Sequence, residues 1–204
     1  MEAFRVILNQ FAESFDLPIL DWIQANLQCE ILDTAMPIIT MLGDAGIFWI
    51  VLSLLLMVFP KTRRAGLGMA IALVMGLVVC NMTLKPLVAR IRPYDYQIQV
   101  LGKTMQDLLV GGKLLVDTPH DFSFPSGHTI ASFEGCIALV LANKKLGIPA
   151  TLLAIAIAFS RLYLYVHYPT DVIASVILGS LFGLIGYLIA KKIPMKQGKY
   201  EKAL

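Results

Sequence analysis

The feature that most constrains this chain is a series of long apolar runs with almost no charged residue. The run from Ala65 to Leu84, for example, contains 20 residues and neither an acid nor a base. About 20 apolar residues in a helix cross the roughly 30 Å hydrocarbon core of a bilayer. Within lipid, a helix satisfies all its backbone hydrogen bonds inside one segment. The sequence therefore predicts an all-α integral membrane protein.

The composition supports this fold class and argues against several others. Of the 204 residues, 57% are hydrophobic and 15% are charged, whereas soluble domains carry about 25% charged residues. The net charge of +3 is small and dispersed, so no nucleic-acid partner is expected. Cys29, Cys80 and Cys136 are far apart in the sequence, which favours separate small residues over a disulfide or a metal site.

Five segments are predicted to span the membrane as a helical bundle. In chain order they are about Asp44–Phe59, Ala65–Leu84, Thr129–Asn143, Ile148–Tyr165 and Asp171–Ala190. The sequence also allows the first span to extend back through residues 36–42. Residues 1–204 are predicted to form a single domain, because the polar gaps are too short for a second one.

Residues 1–43 are predicted to form short helices. Apolar residues recur at helical spacing around Ile7 and Ile23, but neither group reaches the length of a span. Two interpretations remain open: interfacial helices with Trp22 at the level of the headgroups, or a partly buried cap on the bundle. A further helix is predicted from Leu32 to Met41, broken at Gly43. The first 16 residues contain acids and no apolar core, so no secretory signal peptide is expected.

The distribution of basic residues predicts the orientation of the chain. The linker of residues 60–64, the pair Lys144–Lys145 and the tail of residues 191–204 carry 10 of the 17 basic residues and one acid. Basic segments of membrane proteins face the cytoplasm. The N-terminal residues 1–43 and the loop of residues 94–124 are therefore predicted on the outer side.

The outer loop is the one sizeable polar segment of the sequence. A connection of about 30 residues usually forms a lid or a binding loop, or is disordered. The aromatic residues near its two ends, Tyr94, Tyr96, Phe122 and Phe124, are candidates to rest on the membrane interface.

Three polar blocks border the predicted spans, and the orientation places all of them on the outer face. The blocks are Lys85, Arg92 and Pro93; Pro125, Ser126, Gly127 and His128; and Ser160, Arg161, His167 and Asp171. A phosphate ester brings several negative charges into a partly dry site, where fixed positive charge and positioning supply most of the catalysis. The blocks therefore indicate a site for phosphoryl transfer.

The first and third blocks supply positive charge. Lys85, Arg92 and Arg161 each stand at a predicted helix break beside another polar group, and an arginine can bind two phosphate oxygens at once. Arg90 is interpreted instead as an ordinary loop charge.

The second and third blocks supply the groups that could react. Ser126 can cap the following helix, and Gly127 lets its backbone approach an anion. His128, beside them, is a candidate general acid. A carboxylate at Asp171 would hold one ring nitrogen of His167 and leave the other as a nucleophile. The residues alone leave open which histidine attacks and which donates a proton.

All three blocks match the signature of the type 2 phosphatidic acid phosphatase (PAP2) superfamily, which the chain resembles from about Leu32 to Ala190. The resemblance implies that His167 forms a phosphohistidine, that Asp171 orients it and that His128 protonates the leaving group and then activates water. It implies no metal or other cofactor, and it implies that the phosphoryl oxygens are held by Lys85, Arg92, Ser126, Gly127, Ser160 and Arg161. Many members have six spanning helices, so this chain is expected to replace the first by its short N-terminal helices.

Four more polar residues lie close to the blocks in sequence. Asn81, one turn before the first block, either braces it or bonds between helices. Glu134 is an acid within a predicted span, for which functional and structural interpretations are equally open, and it is not assigned to the catalytic set. Asp121 is expected at the mouth of the site, and His120 in the loop.

The sequence favours hydrolysis of a membrane lipid phosphate in the cell membrane, with the site on the outer face. Undecaprenyl diphosphate is the favoured substrate, by analogy with the family. Phosphatidic acid, phosphatidylglycerophosphate and lysophosphatidic acid remain alternatives. The rivals are a non-catalytic protein that binds or transports lipid phosphates, and a phosphotransferase. The expected partners are the lipid substrate and the bilayer.

Overall fold

A computed structural model describes residues 2–109 and 111–194, and all regular structure in these residues is helical. The helices are α1 (Glu2–Phe11), α2 (Leu17–Leu27), α3 (Glu30–Met41), α4 (Ile47–Val58), α5 (Arg63–Gly76), α6 (Lys85–Val88), α7 (Pro93–Gln99), α8 (Met105–Leu108), α9 (Gly127–Ala142), α10 (Lys144–Tyr163) and α11 (Pro169–Lys192). Wider π-helical turns at Ala12–Asp16 and Leu77–Leu84 join α1 to α2 and α5 to α6. A single 3₁₀ turn, Asp44–Gly46, precedes α4.

All five predicted spans are apolar helices. By length and composition, Arg63–Gln99, α10 and α11 can each cross a membrane. The helices α3 and α4, bent by 41° at the break between them, can form a fourth crossing together. This agrees with the extension of the first span into residues 36–42. The fifth, α9, has 16 residues, or roughly 24 Å of helix at 1.5 Å per residue.

The short helix α9 lies at the centre of the bundle, where it packs against α5, α10 and α11. Its inner residues are mostly small or polar, as at Ser132, Gly135 and Cys136. The outer faces of the surrounding helices carry exposed apolar side chains, such as Leu54 and Ile177. This reversal of the pattern of a soluble protein suits a bundle surrounded by lipid.

Glycines allow α11 to approach its neighbours closely, which is how many membrane helices associate. A Cβ atom on Gly179 would lie 2.8 Å from the carbonyl oxygen of Ile130, and one on Gly183 would lie 2.9 Å from that of Glu134. A Cβ on Gly186 would collide with the backbone of α5. Close contact between backbones therefore holds α11 against α9 and α5.

The N-terminal residues cap the end of the bundle that carries the polar blocks. Leu20 and Ile23 of α2 are buried, and the Gln24 side chain donates a hydrogen bond of 2.8 Å to the carbonyl of Tyr163 at the end of α10. Trp22 points away and is 56% exposed. The cap interpretation is thus correct for the inner face of α2, which is buried against the bundle. The outer face, which carries Trp22, is exposed.

The outer loop contains two short helices, α7 and α8, and its tyrosines are not at the surface. Tyr94 and Tyr96 are buried in a cluster with residues of α2 and α10, so their expected place at the membrane interface was wrong. The Tyr96 hydroxyl donates a 2.5 Å hydrogen bond to Glu13. That partner allows the phenol to be buried. Of the predicted tail, residues 195–204 lie outside the described residues.

Replacing Gly186 by leucine should lower the stability by about 1–3 kcal/mol, the usual cost of overpacking. The added side chain has no room against the backbone of α5. The melting temperature in detergent should therefore fall clearly below that of Leu184→Trp, which enlarges an exposed side chain on the same helix. Equal melting temperatures would contradict the close crossing of α5 and α11.

Candidate active site

The three polar blocks converge on one cavity of about 1240 Å³. At its polar end the cavity is lined by Lys85, Arg92, Gly127, His128, Arg161 and His167. Its other walls come from α4 and from α5 with the turn that follows it, and their lining residues include Ile50, Leu54, Leu73, Val74 and Leu77. The cavity therefore joins a cationic end to an apolar cleft between two membrane helices.

His167 lies between α10 and α11 and is almost completely buried. Its Nε2 atom is 3.3 Å from Nη1 of Arg92, which also donates a 2.6 Å hydrogen bond to the carbonyl of Val166. Burial, followed by the charges of Arg92, Arg161 and Lys85, lowers the pKa of His167 well below its usual range. The imidazole is therefore neutral at physiological pH, and a neutral ring can offer a lone pair.

Asp171 lies beside the other ring nitrogen, with 3.6 Å between its Oδ2 atom and Nδ1 of His167. This distance is too long for a good direct hydrogen bond. The hydroxyl of Ser123 donates to the same carboxylate oxygen and lies 3.5 Å from Nδ1. The backbone N–H of Tyr168 donates to it at 3.1 Å. Ser123 was not identified from the sequence, since no feature of its spacing indicated a place between these two residues.

Arg90 is not the ordinary loop charge that the sequence suggested. Only 3% of its surface is exposed, and its guanidinium donates hydrogen bonds of 2.5 Å to Asp171 and 2.8 Å to Asp16. It also lies over the Tyr168 ring, 3.7 Å from the centroid. The sequence around Arg90 shows no sign of this contact, because Asp16 is 74 positions away. Arg90 connects the N-terminal cap to the start of α11.

The carboxylate of Asp121 bridges two of the predicted phosphate-binding cations, Lys85 and Arg92. Partial burial opposes its ionisation, but the hydrogen bonds and charges of these two cations outweigh this effect and lower the pKa of Asp121 to about 2. Its side chain is 55% exposed. A phosphate that binds both cations must therefore displace an ionised carboxylate that already reaches water.

Arg161 lines the cavity from the last turn of α10. Its Nη1 atom donates a 2.5 Å hydrogen bond to Thr40 of α3, and its buried Nε atom has no hydrogen-bond partner within the described residues. The guanidinium thus keeps donor capacity for a ligand. His128 faces the same space, and its Nε2 atom lies 2.7 Å from Oδ1 of Asp44.

Two of the residues predicted to bind phosphate, Ser126 and Ser160, are not among those that line the cavity. Ser126 is buried, with its N–H bonded to Ser175 at 2.8 Å and its hydroxyl 3.0 Å from that of Thr129. The buried Ser160 hydroxyl donates to the carbonyl of Ile157 at 2.7 Å. Both hydroxyls therefore bond within the wall of the site.

Asn81 and Glu134, for each of which the sequence left two interpretations open, also line the cavity. Asn81 approaches Gly127, where an added Cβ would be 3.3 Å from its side-chain oxygen. Glu134 is 1% exposed, and its Oε1 atom has no hydrogen-bond partner in the described part of the chain. His120 is exposed in the loop, as expected. Among residues 2–109 and 111–194, no group of three or more His, Cys, Asp or Glu side chains is arranged to bind a metal ion.

Comparison with known sequences identifies the family. The model of the PAP2 superfamily matches residues 64–194. An undecaprenyl-diphosphatase of Sulfolobus acidocaldarius is 31% identical over 150 residues, which are 73% of this chain and 66% of the relative. A lipid A 4'-phosphatase of Bacteroides thetaiotaomicron is 35% identical over 117 residues, which are 56% of this chain and 49% of the relative. The matches thus span from half to two thirds of these two proteins.

Comparison with solved structures agrees. The crystal structure of a transmembrane PAP2-type phosphatidylglycerolphosphate phosphatase from Bacillus subtilis aligns with a TM-score of 0.69 and 25% identity. The alignment covers 95% of this chain and 96% of the other. Together with the apolar helices, this likeness confirms an all-α, multi-pass membrane protein.

Replacing Arg90 by methionine should lower the stability by about 3–5 kcal/mol, because it leaves the buried carboxylates of Asp16 and Asp171 without their cation. Thermal unfolding in detergent would measure the loss. Arg64→Met, which removes an exposed arginine at the other end of the bundle, is the control and should unfold close to the wild type. Similar melting temperatures for the two variants would contradict the role given to Arg90.

Replacing Asp121 by asparagine should strengthen the binding of inorganic phosphate or orthovanadate several-fold, since the anion no longer competes with a carboxylate for Lys85 and Arg92. Binding can be measured by calorimetry on the detergent-solubilised protein. The control is Asp117→Asn, which removes an exposed acid that also lines the cavity. Unchanged or weaker binding in the Asp121 variant would refute the competition.

Proposed function

The chain belongs to the PAP2 superfamily, and we propose that it hydrolyses a membrane lipid phosphate through a covalent phosphohistidine. One observation carries the proposal: a neutral, buried His167 faces Lys85, Arg92 and Arg161 where an apolar cleft ends. The cations suit the charge of a phosphate. The cleft suits a hydrocarbon chain.

In the first step Nε2 of His167 attacks phosphorus. This nitrogen faces the cations of the cavity, 3.3 Å from Nη1 of Arg92, because Nδ1 is turned toward Asp171 and Ser123. A nitrogen–phosphorus bond forms and the bond from phosphorus to the leaving oxygen breaks. Arg92 and Arg161 stabilise the charge that spreads over the phosphoryl oxygens. His128 supplies the proton that the leaving oxygen takes up.

In the second step water replaces the histidine. His128, having given up its proton, takes one from the water, and the new oxygen–phosphorus bond displaces His167. The products are free phosphate and the lipid that has lost one phosphate. Every step uses groups of the chain, so the proposed reaction needs neither a metal nor another cofactor.

We take undecaprenyl diphosphate as the substrate and the outer face of the cell membrane as the place of reaction. The relative from Sulfolobus acidocaldarius, named for undecaprenyl diphosphate, supports this choice. The basic linkers support the orientation, since they put the polar blocks on the side away from the cytoplasm. The likeness to a phosphatidylglycerolphosphate phosphatase favours a glycerolipid as the second candidate.

Purified protein in detergent, with excess chelator, should release phosphate from farnesyl or undecaprenyl diphosphate faster than from phosphatidic acid, phosphatidylglycerophosphate or a sugar phosphate. His167→Ala should lose activity by at least about 1000-fold, as expected for a nucleophile, and remain folded. His120→Ala, at an exposed histidine of the loop, is the control and should stay active.

Other outcomes of this assay assign other functions. Preference for a glycerolipid would keep the mechanism and replace the substrate. A loss with chelator that added metal restores would show that a cofactor takes part. Activity in His167→Ala would refute the assignment of His167 as the nucleophile. If the wild type releases phosphate from none of the substrates, a binding or transport protein is favoured. If an added alcohol lowers the yield of free phosphate, the protein is a phosphotransferase.

A further inference from the structure

The structure gives the second histidine of the site a carboxylate partner that the sequence did not suggest. Asp44 stands in the break between α3 and α4, and its Oδ1 atom lies 2.7 Å from Nε2 of His128. The two residues are 84 positions apart in sequence. The break that interrupts the first membrane crossing thus places an acid at the opening of α9.

The backbone of this break takes a left-handed turn directly after Asp44. Ala45 has a φ angle of 48° and Gly46 one of 67°, both in the left-handed region. A residue other than glycine is rare there, and such strain is concentrated at functional sites. The strain at Ala45 directs the turn immediately after Asp44.

The same break is shaped around the imidazole of His128. A Cβ atom on Gly43 would lie only 2.7 Å from Cδ2 of His128 and 3.1 Å from its Cβ. Below the ring, Trp49 of α4 donates a 3.0 Å hydrogen bond to Ser132, whose hydroxyl donates at 2.7 Å to the carbonyl of His128. Gly43 therefore fits closely against the ring, while α4 contacts the backbone of His128 through Ser132.

The positive charges around His128 indicate what Asp44 contributes to the site. Lys85 on α6 and Arg161 on α10 face the ring with positive charge, and His167 lies beyond them in the same cavity. Burial of the ring, followed by the charges of Arg161 and Lys85, disfavours a protonated His128, although a general acid must carry a proton. Asp44 is the carboxylate that contacts the ring, and its negative charge opposes theirs.

We propose that Asp44 is the positioning residue of His128: it accepts the hydrogen bond of Nε2–H, and so leaves Nδ1 to exchange protons with the leaving group and with water. The inference rests on the proposed function. Asp44 stabilises the protonated His128 in both steps. In the first step this imidazolium gives its proton to the leaving oxygen, and in the second it forms when His128 takes a proton from water. It touches neither phosphorus nor the leaving oxygen, and acts through the orientation and charge of His128.

Asp44→Asn should reduce kcat for the lipid substrate about 100-fold, within the range that general acid catalysis contributes, with little change in KM. Asp44→Glu should recover part of the loss. Asp117→Asn removes an exposed acid from the same cavity without a contact to His128 and should behave as wild type. Thermal unfolding of each variant checks that it is folded.

A second substrate separates positioning from a structural effect. The leaving group of p-nitrophenyl phosphate needs no proton, so formation of the phosphohistidine should stay fast in Asp44→Asn while its hydrolysis slows. The variant should release about one p-nitrophenol per protein in a burst and then turn over slowly. A distorted site would slow both phases together.

Three results would overturn the proposal. Equal kcat values for Asp44→Asn and Asp117→Asn would show that the contact has no effect on the reaction. A change in KM alone would make Asp44 a competitor for the site, as Asp121 is for the two phosphate-binding cations. A wild type that is folded but inactive on all substrates would refute the proposed function and the positioning role together.

Discussion

The site depends on one buried arginine between two buried carboxylates. Arg90 binds Asp16 from the N-terminal cap and Asp171 from the start of α11, and Asp171 also lies beside His167. Each charge alone would lose several kcal/mol of hydration on burial, so these groups persist there only as a set with well-made hydrogen bonds. That requirement fixes the cap, the segment after α6 and the start of α11 relative to one another. The position of His167 follows from it.

A second constraint is the excess of positive charge at the polar end of the cavity. Three cations and two histidines converge there, and the structure balances them with acids from loops. Asp121 pairs with Lys85 and Arg92, and Asp44 pairs with His128. Both acids are more than half exposed, so their place beside these groups costs them little dehydration. Asp16 and Asp171, by contrast, are completely buried and hold the framework.

The apolar helices explain how such a site can stand at a membrane surface. Glycines let α11 approach α5 and α9 at backbone distance, which leaves the apolar side chains free to face lipid. The bend between α3 and α4 keeps the cleft beside α5 in contact with the polar end. This is the arrangement that the proposed function requires, with a hydrocarbon chain in an apolar environment and its phosphate at the cations.

The sequence by itself determined the helical class, the positions of the apolar helices and the cations and histidines of the site, because apolar runs and short polar blocks are local patterns. It also indicated Asp171 beside His167, only four positions apart. Only the tertiary structure decided the partners of Arg90, the position of Ser123, the burial of Tyr94 and Tyr96, and the contacts of Asp44 and Asp121. These contacts join residues far apart in the chain, and a charge at a loop end has the same local sequence whether it meets water or a buried partner. Which of these it meets is decided by packing and desolvation, and both are properties of the assembled bundle.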